Sequence, residues 1–168
     1  MPPEAGEVFA ARLVALARSH DLLIRSDWEG ASLAEIAGRA LLPYGGADRA
    51  TLDGPAVQLP GCIVEMLGLA FHELATNAAK HGALSVPDGR VEVRWELQPA
   101  AGGTGEVEIV WSERGGPPVT PPADRGFGSQ LLEKGLVHGL GGTARLSFRP
   151  EGVEYRIRLP AMQDADED

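Results

Sequence analysis

The chain has little cysteine, no excess of basic charge and no long apolar run, and each shortage narrows the reading. Cys62 is the only cysteine in 168 residues. With no second thiol to pair with and no ligands at metal spacing around it, a disulfide scaffold and a cysteine zinc site are both excluded, and a reduced cytoplasmic setting is expected. Lys and Arg number 15 against 24 Asp and Glu, for a net charge of −9. That balance argues against non-specific nucleic-acid or anionic-membrane binding, while leaving room for a local basic pocket for phosphates. No run reaches the roughly 18 apolar residues of a membrane span. The opening Met1-Pro2-Pro3-Glu4-Ala5-Gly6-Glu7 has neither the basic region nor the apolar core of a signal peptide. A soluble protein without membrane contact is expected, and no internal repeat is present.

What is there is an ordinary globular composition, with Gly (22) and Pro (13) both above average. The length favours one domain with a real core. The stretch around which the chain is organised is Phe71-His72-Glu73-Leu74-Ala75-Thr76-Asn77-Ala78-Ala79-Lys80-His81-Gly82. It ends an apolar run that opens at Pro60, read as the first helical residue. At helical spacing Glu73, Asn77 and Lys80 share one face, with Thr76 and His81 beside it. Ile63, Val64, Met66, Leu67, Leu69, Ala70, Leu74, Ala75 and Ala78 make the remainder apolar almost all round, the mark of a buried helix. A carboxylate, an amide and an ammonium on such a helix are costly unless something polar lies above them. The amide oxygen of Asn is a hard ligand suited to Mg²⁺, which keeps waters and takes phosphate oxygens. This face reads as the floor of a Mg-nucleotide pocket.

Around it the chain reads in order. Residues 7–24 read as a helix, with Phe9, Leu13, Leu16 and Leu23 spaced for one apolar stripe. Asp27-Trp28-Glu29-Gly30 breaks the pattern. Ser32-Leu33-Ala34-Glu35 is a capping box that starts a helix through Leu42, stopped by Pro43. Thr51–Asp53 and Ala56–Leu59 are two short strands joined by Gly54-Pro55. After the helix at 60–82 come strands over 90–97 and 106–112, separated by a turn at 99–105. Residues 113–126 hold four prolines and cannot be regular structure. A helix over 128–138 follows, then a hairpin of 143–149 and 153–159 around Pro150-Glu151-Gly152. The tail at 163–168 is acidic and reads as disordered. This order predicts an α/β two-layer sandwich with a mixed sheet and helices on one face.

Three pieces carry chemistry. Glu73 and Asn77 lie one turn apart, so Glu73 can accept a proton from an attacking nucleophile while Asn77 holds Mg²⁺. The plain alternative is two surface residues of an amphipathic helix. A metalloprotease is excluded, because Thr76 stands where His72-Glu73 would need a second histidine, and His72 reads as structural. Glu113, before Gly115 and Gly116, can accept from an exocyclic amine while the glycines let a flat ring approach; taken alone, this is a strand end turning through Gly-Pro. Gly126-Phe127-Gly128-Ser129 before a helix offers N–H groups to an anion, although capping explains it as well. It is no dinucleotide fingerprint, since Leu131 replaces the third glycine, and it is no P-loop.

Taken together, these pieces resemble the ATP-binding, Bergerat (GHKL)-type catalytic domain of sensor histidine kinases of the HWE group. That group carries a His in the Asn-bearing helix and a Trp-x-Glu strand end, here His72 in His72-Glu73-Leu74-Ala75-Thr76-Asn77-Ala78 and Trp111-Ser112-Glu113. Gly126-Phe127-Gly128-Ser129-Gln130-Leu131-Leu132 and Leu140-Gly141-Gly142 match the glycine box and the strand entry after it. The similarity runs from Phe9 to Pro160. It implies that Glu73 helps an acceptor histidine lose its proton, that Asn77 ligates Mg²⁺, and that Lys80 and His81 touch ATP phosphates. Glu113 would read the adenine amino group, residues 114–125 would form a short ATP lid containing Gly115, and Gly126, Phe127, Gly128 and Ser129 would line the nucleotide. Val153 departs from the Thr that the wider superfamily often has near adenine.

The resemblance also implies a division into a helical segment at 1–45 (half of a dimerisation hairpin and a linker helix), an ATP-binding domain at 46–160 and a tail at 161–168. The acceptor histidine of such kinases lies in a helix before the region matching Phe9–Leu23 and is expected outside this chain. His20 reads as a packing or capping residue. The expected function is phosphoryl donation in two-component signal transduction, with ATP and Mg²⁺. The expected partners are a response-regulator receiver domain, and an acceptor-histidine helix and sensor domain on a longer parent or a separate chain. A homodimer is expected where the first hairpin helix is present. The alternatives are a phosphotransfer or scaffold protein with a decayed nucleotide site, and a small anti-sigma Ser/Thr kinase of the same superfamily.

Overall fold

A computed structural model describes residues 31–99, 105–119, 132–133 and 141–160, with Cys62 described by its backbone alone. The expected helix over 7–24 with His20, the break at 27–30, most of the turn at 99–105, residues 120–126 and the tail lie outside the described residues. So does the helix over 128–138, apart from Leu132 and Glu133.

The capping box behaves as its chemistry demands. Ser32 Oγ accepts from the Glu35 N–H at 3.2 Å, and a Glu35 carboxylate oxygen accepts from the Ser32 N–H at 3.3 Å. Two otherwise orphaned donors are thereby satisfied, and α1 (Leu33–Leu41) follows. Leu33, Ile36, Ala37 and Leu41 bury one stripe of it, and Leu42 is its C-cap rather than its last residue. Pro43 then turns the chain into short 3-10 turns at Leu42–Tyr44 and Gly46–Asp48.

The segment after it differs from expectation. β2 (Ala50–Asp53) and β3 (Gln58–Leu59) do not pair with each other. β3 runs antiparallel to the short β1 (Ala31–Ser32), with Ala31 opposite Leu59. β2 instead lies parallel to β4 (Arg90–Gln98) at one edge of a five-stranded sheet. β2 is taken up over its whole length by β4, from Ala50 opposite Val91 to Asp53 opposite Arg94. The Trp95 indole N–H donates to the Pro55 carbonyl at 2.7 Å and pins that crossing to the sheet.

The sheet runs β2-β4-β5-β7-β6, where β5 is Glu106–Arg114, β6 is Thr143–Arg149 and β7 is Gly152–Pro160. Every pairing except β2 with β4 is antiparallel. β5 extends through Glu113 and Arg114, so the irregular segment starts at Gly115 rather than at 113. Period-two alternation aims Val91, Val93, Trp95, Val107, Ile109, Trp111, Tyr155, Ile157 and Leu159 into the core. The other face carries charge, with Glu108 taking Arg158 at 2.6 Å and Arg156 at 3.1 Å. Exposed pairs of this kind contribute about 0–1 kcal/mol each. Their role is to keep this face wet.

The helix that matters is α2 (Gly61–Lys80), for which Pro60 serves as N-cap in an extended conformation rather than as first helical residue. Ile63, Val64, Leu67, Ala70, Phe71, Leu74, Ala75 and Ala78 are buried along it. α1 packs on α2, and the Phe71 ring stacks on Trp111 with centroids 6.2 Å apart. Among the described residues the architecture is the expected two-layer α/β sandwich, with a mixed sheet and both helices on its apolar face.

Candidate functional site

The last two turns of α2 carry the expected polar face, and its members differ in exposure. Glu73 is 7 % exposed, whereas Asn77, Lys80 and His81 are open to solvent and Thr76 is half-buried. The face is therefore not packed dry against the sheet. A buried carboxylate sits at its inner end, and an amide, an ammonium and an imidazole lie at its mouth. Lys80 lies in the final turn, where the helix dipole also favours a cation. Between Glu73 and Asn77, the Thr76 hydroxyl oxygen is buried with no hydrogen-bond partner among the described residues. Helical threonines commonly settle that oxygen on a carbonyl one turn back, so an unmet hydroxyl here marks a polar surface short of a partner.

Glu113 is the second buried acid, at 5 % exposure. It reaches from the inner face of β5 to the turn that follows α2, so two distant pieces of sequence meet. One of its oxygens (Oε1) accepts from the Ala83 N–H at 3.1 Å, and the other (Oε2) accepts from the Trp111 indole N–H at 3.2 Å. Burial pushes its carboxyl above the ordinary 4.5, while those two hydrogen bonds pull the other way. The pair Trp111 and Glu113 sits at i and i+2 of one strand, which places both side chains on one face.

The glycines after Glu113 admit backbone at close range. Gly115 takes a left-handed φ of 75°, and a Cβ on Gly116 would fall 2.7 Å from the Ala83 Cα. The chain at 82–89 thus packs closely against Gly116. That chain is clamped by Arg49, whose guanidinium donates to the carbonyls of Gly89 (3.1 Å), Ala83 (3.4 Å) and Val86 (2.5 Å).

Gly126, Phe127, Gly128 and Ser129 lie outside the described residues. Val153 is half-buried on β7, two residues from Tyr155. The Tyr155 hydroxyl donates to the Leu132 carbonyl at 2.8 Å, and burial raises its pKa and keeps it neutral. Sequence reasoning missed Arg49, Ala83 and the bond from Trp111 to Glu113. Strand alternation would have found the last. Nothing local signals an arginine that acts across 34 to 40 residues of chain.

Among the described residues no three His, Cys, Asp or Glu side chains converge as a metal site. Asn77 offers a hard oxygen from the open part of the helix face, which suits Mg²⁺ when phosphates and waters complete its shell. The residues present fit that ion. Among the described residues no helix is long and apolar enough to cross a membrane.

Comparison with known proteins extends this picture. The family model described as HWE histidine kinase matches residues 1–56. A blue-light-activated histidine kinase of Brucella anthropi is 36 % identical over 165 residues, a match that covers 97 % of this chain and 33 % of that protein. The chain therefore spans about a third of the length of that relative. The histidine kinase domain of the Erythrobacter litoralis EL346 blue-light-activated histidine kinase superposes with a TM-score of 0.62 at 21 % identity, covering 90 % of this chain and 74 % of that one. Histidine kinase ThkA, solved in complex with the response regulator TrrA, gives 0.50 at 14 % identity, over 95 % of this chain and 51 % of that one. The fold is the α/β sandwich of histidine kinase catalytic domains. With sequence similarity added, the chain is similar over nearly its whole length to a histidine kinase, and over residues 1–56 to the HWE histidine kinase family.

Proposed function

We propose that this chain is the ATP-binding, phosphoryl-donating part of a two-component sensor histidine kinase. The observation that carries the reading is the α2 face: a buried Glu73 one turn below a solvent-open Asn77, with Lys80 a further turn on. Asn77 would hold Mg²⁺ and Lys80 and His81 would contact the phosphates. When bound, the ion neutralises triphosphate charge. Glu73, at the inner end of the face, takes the proton that the acceptor histidine loses as it is phosphorylated. Phosphoryl transfer asks mainly for positioning and charge stabilisation, and a carboxylate already held in place supplies both. Glu113 would accept from the adenine amino group, Gly115 would open the lid at 114–125, and Gly126, Phe127, Gly128 and Ser129 would complete the phosphate side.

In this reading the domain works in the cytoplasm on a histidine carried by a separate helix, either elsewhere in a longer kinase or on another chain. A sensor domain governs it, and the phosphate passes to a response-regulator receiver. Residues 1–45 supply the second hairpin helix and the linker, residues 46–160 the catalytic domain and 161–168 a tail. A homodimer forms where the partner hairpin helix is present.

The test is titration of an ATP analogue with and without Mg²⁺, wild type against Asn77→Ala, followed by addition of an acceptor-histidine helix and assay for acid-labile phosphate. Metal-dependent binding that Asn77→Ala abolishes supports the reading. Absence of any nucleotide binding would return the chain to the scaffold alternative, and acid-stable phosphate would favour a serine kinase.

A further inference from the structure

The carboxylate of Glu113 is aimed rather than merely buried. Each of its oxygens accepts one protein hydrogen bond, and each donor is itself held from behind. Trp111 has no exposed surface and is stacked against Phe71 of α2. Ala83 belongs to the turn whose three carbonyls are gathered by Arg49. Beside the carboxylate, Gly82 has ordinary extended dihedrals (φ −111°, ψ −150°), so its backbone does not require glycine. Its missing side chain matters for another reason: a Cβ there would stand 2.1 Å from Glu113 Oε1. A donor on each side and an empty space at Gly82 leave the carboxylate one place to be.

We propose that Trp111, Gly82 and the Arg49-held turn are positioning residues that fix Glu113 as an acceptor for the exocyclic amine of adenine, and thereby set the preference for adenine over 6-oxopurines. The inference rests on the nucleotide reading above. An amine meeting a fixed carboxylate gains a charge-assisted hydrogen bond. A 6-oxo group in its place sets acceptor against acceptor, and a carboxylate that cannot swing away cannot relieve that mismatch. Sites that hold a buried polar group in position discriminate far better than those that let it relax. Loosening Glu113 costs the adenine nucleotide its bond while sparing the 6-oxo nucleotide, so the ratio of the two affinities reads positioning directly.

The experiment measures binding of Mg-ATP and Mg-ITP to the full chain as wild type, Trp111→Phe and Gly82→Ala, with a melting temperature for each. The expected result is a fall of about tenfold in the ATP-over-ITP ratio in both variants, the value of roughly one hydrogen bond to a charged group. A ratio unchanged within about twofold, with only the melting temperature lowered, makes these residues structural and overturns the proposal. If neither variant folds, given that the new Cβ of Gly82→Ala falls 2.1 Å from Glu113 Oε1 and 3.0 Å from the Ala78 Cα, the unaltered protein decides. A measurement on the unaltered protein serves as well: the indole N–H resonance of Trp111 should shift on addition of Mg-ATP more than on Mg-ITP, and equal shifts count against the proposal. A wild type that binds neither nucleotide sinks the nucleotide reading and this inference together. A wild-type preference for ATP that survives both substitutions sinks the inference alone.

Discussion

Trp111 and Glu113 stand two residues apart on one strand, and the indole N–H of the first donates to a carboxylate oxygen of the second at 3.2 Å, inside the core. The partnership makes a carboxyl of raised pKa tolerable where water does not reach, and it gives the acid a pH signature. Its folded-state pKa lies above the ordinary 4.5, with burial as the larger cause. The folded chain therefore binds more protons than the unfolded chain from about pH 4.5 upward to the raised value. The stability contributed by Glu113 is fully present below that window and declines as pH rises through it. Adenine recognition by Glu113, as proposed above, would run the other way, because the ionised carboxylate is the better acceptor and is lost on acidification. Wild type should bind the ATP analogue more weakly as pH falls through this window, and its unfolding free energy relative to Glu113→Gln should rise over the same range. Parallel pH profiles for wild type and Glu113→Gln in both measurements would contradict the assignment.

How far the sequence alone reached can be seen at particular residues. The capping box at Ser32 and Glu35 is local chemistry, and it is present as read. Alternation in 90–97 and 106–112 gave both the strands and their buried faces, because period two survives any register. β2 and β3 were misjoined because a strand of two to four residues has no periodicity of its own, and its partner is chosen by tertiary packing. The polar face of α2 was legible, since spacing of three and four residues fixes a helix face wherever the helix lies. The clamp from Arg49 was not, because nothing in Asp48-Arg49-Ala50 indicates which carbonyls will come within reach.

Glu73 offers a prediction in which binding and chemistry separate. Its side chain is buried beneath the exposed amide of Asn77, so it is poorly placed to contribute to nucleotide affinity and well placed to hold a proton. Glu73→Gln keeps the shape and removes the basicity. Affinity for the Mg-ATP analogue should stay within about twofold, while transfer to an acceptor-histidine helix should drop by roughly 10²- to 10⁴-fold, the usual worth of general base catalysis. Equal losses of binding and transfer would show Glu73 to be structural.

Arg49 offers a prediction about stability. Its guanidinium draws together the carbonyls of Ala83, Val86 and Gly89, of which Val86 also accepts from the Gly89 N–H at 3.4 Å and Gly89 from the Arg90 guanidinium at 3.1 Å. Hydrogen bonds from a charged donor contribute about 1.5–3 kcal/mol each when measured singly, and three on one side chain fall short of their sum. Arg49→Met retains much of the aliphatic stem and removes every donor. It should lower the unfolding free energy by about 2–4 kcal/mol, the carbonyls losing partners that water replaces only in part. The same change should speed amide exchange in residues 83–89 well beyond that in α1, whose described residues take no hydrogen bond from the Arg49 side chain. Lys at this position keeps the charge but not the planar fork that reaches several carbonyls at once, so Arg49→Lys should recover less than half of the loss. Full recovery by lysine would mean that charge near the turn, rather than the fork, holds 82–89 against Glu113. Denaturant unfolding of the three chains, read beside their exchange rates, distinguishes the two.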